Sequence, residues 1–358
     1  MRSLFEKNMT DGVAEGINGA VACAGGCDMA SPLYIATTIG LFVAAQTNGD
    51  WSVVGQGLRE KALTSIAVSE GVILAGSADG VWRSTDQGRS WIESNETLAI
   101  RHVRWMAASS QPPPIILAGT EPAGIFVSRD GGASWNPARE VYLLRDTHGW
   151  FLPYSPRAGC VRGFAIAESG PHRGRVYAAV EVGGVLVSDD RGESWKLADG
   201  SNGKPDINRA LGAMIHPDVH SITVHPNSSD VVTAATGGGL YHSTDGGKSW
   251  KNLYPCYIRA IWVDPQDNRY IIAGPADGVS RNGRLEESRD GGRTWHAASD
   301  GMQAPWPRHM VERFAQADNE LFAILSNGEL WSRKPSGSKW ERVLPEIAQV
   351  KAIAAAGR

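Results

Sequence analysis

From Leu33 onward, short apolar runs alternate with polar, glycine-rich breaks, and the alternation keeps one grammar along the chain. The stretch after residue 62 shows it best. Leu63 to Val68, Val72 to Gly76 and Gly80 to Ser84 are β-rich runs, a polar octet follows, and Ser90 to Ser94 resumes the pattern. Four short strands divided by turn residues are what this spacing predicts. Val176 to Val180 is apolar throughout and Val231 to Ala235 is apolar but for Thr233, as expected of inner strands covered on both faces.

The polar break is itself a repeat. Residues 84–91 read STDQGRSW, 128–135 SRDGGASW, 188–195 SDDRGESW, 243–250 STDGGKSW and 288–295 SRDGGRTW. The chemistry is that of a turn. The Asp at the third position can accept backbone N–H bonds from residues ahead of it. The Gly at the fifth supplies a positive φ, and the closing Trp offers a large apolar plate to the next strand. Weaker copies at Thr47 to Trp51 and Ser332 to Trp340 bring the set to seven. A four-stranded unit returning seven times predicts an all-β fold, a seven-bladed β-propeller of four-stranded antiparallel blades.

The octet resembles the Asp-box, or BNR repeat, found in sialidases and related glycosidases, in sortilin-type receptors and in photosystem II stability/assembly factors. The repeat class occurs in enzymes and non-enzymes alike, so the resemblance implies the fold and leaves the activity open.

Residues 1–31 fit no repeat and are expected to form an N-terminal extension, with 32–358 a single propeller. The last strand, Val350 to Ala356, is expected to be the innermost strand of blade 1 and to close the ring; Asn18 to Ala24 is the rival for that place. Three insertions depart from the repeat: Asn136 to Gly159, Lys196 to His216 and Gly278 to Arg284. In a four-stranded meander these connections leave on one face and the Asp-box turns on the other. Long connections of this kind are where function tends to sit.

The beginnings of the seven innermost strands form an informative column. Each has an apolar first and fourth position, whereas the second is Thr64, Arg104, Arg162, His220, Arg259, Glu312 or Lys351. A polar column in covered strands is costly unless it opens onto water or a ligand. The expected opening is the mouth of the central channel, where four cations would face one carboxylate. The same residues also fit a ring of ion pairs that fills the channel. On the connections of that face lie further candidates. The aromatics of the stretch His148 to Arg157 (Trp150, Phe151 and Tyr154) are expected with Arg157 to roof the mouth; a loop packed on itself is the alternative. Trp306 and His309 lead into Glu312, and Glu181 ends the second strand of blade 4, with Glu121 its counterpart in blade 3.

Composition narrows the classes. The chain has 358 residues, 42 of them glycine, and a formal charge of −3, which speaks against general nucleic-acid binding. No apolar run is long enough to span a membrane. Met1 to Asn18 has no apolar signal region, so a cytoplasmic location is expected. Cys23 and Cys27 read as free thiols or one incidental disulfide. His216 and His220 have the residue types of a metal site, but Pro217 opposes the helix that would align them; a divalent metal held with His102, His309 or Cys160 of other blades stays open, and the sequence requires no cofactor.

Two functions follow. The first is a hydrolase or lyase acting on a small or sugar-like anion. His220 or Tyr154 would be its acid or base, and Glu312 or Glu181 the carboxylate partner. Arg104, Arg162, Arg259, Lys351 and Arg157 would hold the anion. The sialidase resemblance implies arginines that grip an acid, although this chain lacks an Arg-Ile-Pro motif and has seven repeats where sialidases have six blades. The second is a non-catalytic scaffold holding a partner protein, which the assembly-factor resemblance implies through a basic propeller face. A sortilin-like receptor fits less well, given four cysteines.

Overall fold

A computed structural model describes residues 31–109, 111–152, 159–206, 212–334 and 336–356. The N-terminal extension, apart from Ser31, lies outside these residues, and with it Cys23, Cys27 and the rival strand Asn18 to Ala24.

The described strands form seven four-stranded antiparallel sheets. Their inner strands touch in an unbroken circle, blade 7 meeting blade 1 and blade 1 meeting blade 2. Blade 1 takes its inner strand, Val350–Ala355, from the far end of the chain, paired with Leu33–Thr37. The expected ring closure is therefore what the structure shows. Seven apolar clusters hold the ring, one at each junction between neighbouring blades. Second strands such as Ile115–Thr120 and Ile271–Ala276 are buried along their whole length, because each is sandwiched between two other blades.

The five good octets fold alike. In each, the Ser hydroxyl donates to the Asp carboxylate at 2.7–2.8 Å and accepts the Gly N–H at 2.7–2.9 Å. The same carboxylate accepts the N–H of the seventh residue at 2.9–3.0 Å. The fifth-position glycines have φ between +80° and +87°, a region that a Cβ disfavours. The closing tryptophans wedge between blades: Trp135 Nε1 donates to the Ser94 carbonyl at 2.9 Å and Trp340 Nε1 to that of Ala298 at 2.9 Å.

Two elements depart from the sequence reading. The insertion after Asn136 carries a helix, Arg139–His148, ended by Gly149 at φ +65°. Trp150, which follows it, does not roof the mouth. It is fully buried between blades 3 and 4, where its Nε1 donates to the Gly203 carbonyl at 2.7 Å. Tyr154 and Arg157 lie outside the described residues.

Candidate functional site

In every blade the inner strand slips register at its second residue. Val219 pairs with Thr236 and Ser221 with Ala235, leaving His220 as the extra residue. Thr64, Arg104, Arg162 and Glu312 are skipped in the same way. Lys351 is skipped between Val350 and Ala352, and Arg259 shares its gap with Ala260. An extra residue of this kind is unpaired and its side chain is re-aimed. Here a ring of bulges explains the polar column: the second position is turned out of the inter-blade sandwich toward the axis.

All seven side chains of the column line one cavity of about 450 Å³. A second ring completes the wall, made by the residues that follow the second strands: Thr38, Ala78, Glu121, Glu181 and Ser326. Leu152 reaches the same cavity from the blade 3–4 connection. Trp306 and His309 do not line it. Trp306 is buried among the blade 6 and 7 hydrophobics and exchanges backbone bonds with Gly283 of the blade 6 insertion.

The charges interlock. Arg162 lies 3.6 Å from both Glu181 and Glu312, and Arg259 pairs with Glu312 at shorter range. Arg104 lies 3.3 Å from Glu121. Burial pushes the Glu312 carboxyl up, but Arg259 and Arg162 outweigh it and hold it below the usual range. Against burial, Glu181 and Glu312 in turn hold Arg162 well above an ordinary guanidinium. Burial and the neighbouring Glu181 push the Cys160 thiol to about 12, so it stays protonated and donates to Glu181 at 3.1 Å.

His220 is almost fully buried. Its Nδ1 lies 2.9 Å from the Ile258 carbonyl and its Nε2 3.1 Å from Asp218 Oδ1. The carboxylate partner of His220 is thus Asp218, which sequence reasoning missed, rather than Glu312 or Glu181. His216 also turns to Asp218, accepting its N–H at 3.2 Å. Tyr257 sits beside His220 with ring centroids 5.1 Å apart and accepts a bond from Arg259 at 3.0 Å.

A further cation was missed. Arg313, the third residue of the blade 7 inner strand, lines the cavity with its guanidinium 3.7 Å from the Trp105 ring centroid. It donates to the carbonyls of Thr64 and Arg104, each at 3.2 Å. Among the described residues no carboxylate forms an ion pair with it. Burial, with repulsion from Arg162 and Arg104, pushes its pKa down to about 9; it remains charged at neutral pH. Lys351 is exposed at the mouth, likewise without an ion pair among the described residues. Five basic side chains, Arg104, Arg162, Arg259, Arg313 and Lys351, therefore meet four carboxylates, Glu121, Glu181, Asp218 and Glu312. The sequence column had suggested a larger excess.

The fold and the turn geometry define the class: the chain is a seven-bladed Asp-box β-propeller, and the BNR/Asp-box repeat description matches residues 241–252. A xyloglucanase from Paenibacillus sp is 27% identical over 65% of this chain. That match covers 26% of the xyloglucanase, so the chain spans about a quarter of the length of this relative. Among solved structures, an ancestral GH74 enzyme superposes with a TM-score of 0.57 at 17% identity, over 78% of this chain and 38% of that one. YCF48 bound to D1 peptide superposes with a TM-score of 0.58 at 14% identity, over 90% of this chain and 95% of that one. At these identities the solved structures show the fold alone. No described helix is long and apolar enough to cross a membrane.

Proposed function

We propose that the axial cavity binds a ligand bearing a carboxylate or phosphate, with Arg313 and Lys351 as the groups that meet the anion. The observation that carries this reading is Arg313. Arg104, Arg162 and Arg259 already have carboxylate partners, whereas among the described residues Arg313 meets carbonyls and an aromatic face. A desolvated cation whose pKa is lowered opposes folding at neutral pH. A residue kept at such a cost is explained by a ligand that supplies the missing negative charge.

The test is calorimetric titration of the protein with small dicarboxylates, acidic sugars, inorganic phosphate and peptides with a free C-terminal carboxylate. The peptide arm addresses a partner-protein role, the one that YCF48 with its D1 peptide suggests. Arg313→Met should weaken the binding arm about 10- to 100-fold, the loss expected of one charge-assisted bond, without lowering the melting temperature. Binding retained in this variant would sink the proposal. Arg162→Ala is a poorer probe, because it leaves Glu181 buried without its guanidinium partner and Glu312 with Arg259 alone, and should destabilise the ring.

Hydrolysis of a sugar chain is the second reading, supported by the relation to the xyloglucanase. A two-carboxylate mechanism needs one carboxyl held protonated as the acid. Glu312 and Asp218 are both held below the usual range, which favours binding over acid–base cleavage at this cavity. Release of reducing ends from xyloglucan oligosaccharides by the isolated chain, abolished by Glu312→Gln, would reverse that preference.

A further inference from the structure

The contact between His220 and Asp218 poses a problem of hydrogen-bond roles. Nδ1 of His220 faces the Ile258 carbonyl at 2.9 Å. A carbonyl can only accept, so Nδ1 carries a proton. In the neutral ring Nε2 is then a lone pair, and it points at a carboxylate oxygen 3.1 Å away. Two acceptors do not face each other at this distance without a positive charge between or beside them. Either a second proton sits on the ring, or a cation bridges the pair.

The surroundings favour a cation. Glu181 completes a trio with Asp218 and His220 in which the donor atoms all lie within 4.8 Å of one another. Ligands about 2 Å from a zinc ion are up to about 4 Å apart, so a small rotation of a carboxylate closes the set. The donors come from two blades: Glu181 follows the second strand of blade 4, Asp218 immediately precedes the inner strand of blade 5, and His220 occupies that strand's bulge. The supporting bonds already stand. The Ile258 carbonyl fixes the imidazole tautomer, and Cys160 donates to Glu181 at 3.1 Å; outer bonds of this kind orient ligands in metal sites. Two carboxylates neutralise a divalent ion, and Arg162 then shares Glu312 with Arg259. Glu181 and His220 face the axial cavity, which leaves room for water or an exogenous ligand at the remaining positions.

We propose that Glu181, Asp218 and His220 form a binding site for one divalent transition ion of the zinc class. One imidazole with two carboxylates suits such an ion better than magnesium or calcium, which prefer all-oxygen sets. Arg162 reaches Glu181 with one terminal nitrogen and Glu312 with the other, and the site does not depend on an anion at Arg313.

The experiment uses the full chain, stripped with chelator, equilibrated with zinc chloride and dialysed against metal-free buffer. Metal content is read by elemental analysis and affinity by competition with a chromogenic chelator. The expected result is one equivalent of zinc and a raised melting temperature, both lost in His220→Ala and in Glu181→Gln. The second variant is nearly isosteric and guards against a folding defect. Arg313→Met should retain its zinc, so failure here and failure of the anion reading are distinguishable. If the wild type retains no zinc, the His220–Asp218 contact is a protonated ion pair and the proposal fails. It fails equally if both variants keep the equivalent, which would place the ion elsewhere.

Discussion

Single residues of the Asp-box act through hydrogen bonds to backbone. Burial pulls the Asp130 and Asp245 carboxyls up, yet the bonds from Ser134 and Ser249, then from Ser128 and Ser243, bring both down to about 2. The sign follows directly. A carboxyl whose folded pKa is depressed contributes stability above its unfolded value, near ~4, and that contribution disappears as pH falls through the folded value. Urea midpoints should therefore decline between about pH 4 and pH 2, and the decline should be shallower in Asp130→Asn combined with Asp245→Asn. A parallel decline in wild type and double variant would mean that these turns are not the acid-sensitive groups. The residues of these turns could be read from the chain because donor and acceptor are never more than a few positions apart.

Elements combine such turns with contacts that only a neighbouring blade provides. Gly132 and Gly247 occupy the same place in their octets, with φ of +80° and +86°. A Cβ on Gly132 would stand 2.6 Å from Leu74 of the preceding blade, whereas one on Gly247 would meet nothing closer than 3.5 Å. Both alanine variants should lose about 1 kcal/mol for the positive φ. Gly132→Ala should lose a further ~1–3 kcal/mol for overpacking; equal urea midpoints in the two variants would contradict this. The third and fourth strands of blade 1 show the same mixture of local and tertiary causes. They lack an Asp-box and instead turn at Asn48 and Gly49, φ +55° and +93°, a pair that favours a tight hairpin. Both strands run eight residues, and Trp51 bonds Glu320 of blade 7 at 2.9 Å. The helix Arg139–His148 was hidden from pattern reading because only Val141 along it is buried, so its sequence carries little apolar periodicity.

At the scale of the whole molecule, stability rests on closure. Val350–Ala355 gives blade 1 its inner strand and places Val350, Ala352 and Ile353 in the clusters joining blade 1 to its two neighbours. Ending the chain at Gln349 should open the ring, exposing the Leu33–Thr37 edge. The expected outcome is loss of a cooperative urea transition, with concentration-dependent association through the free edge. A truncated chain that stays monomeric and unfolds as sharply as the parent would show that the ring needs no such clasp. Closure also creates the site, since its charged groups come from six of the seven blades.

The sequence by itself determined the turns, the number of blades and the polar column at the strand beginnings, and narrowed the clasp to two candidate strands. Each is written in local spacing: an octet within hydrogen-bonding reach of itself, or a position recurring against a fixed apolar frame. Only the tertiary structure decided what that column faces. The bulges aim it at the axis and turn His220 against Asp218, the second-strand ends bring Glu121 and Glu181 against Arg104 and Arg162, and the ring sets Arg313 against Trp105. Electrostatic partners depend on distance in space, and pairs such as Arg313 with Trp105 or Arg162 with Glu312 are far apart along the chain.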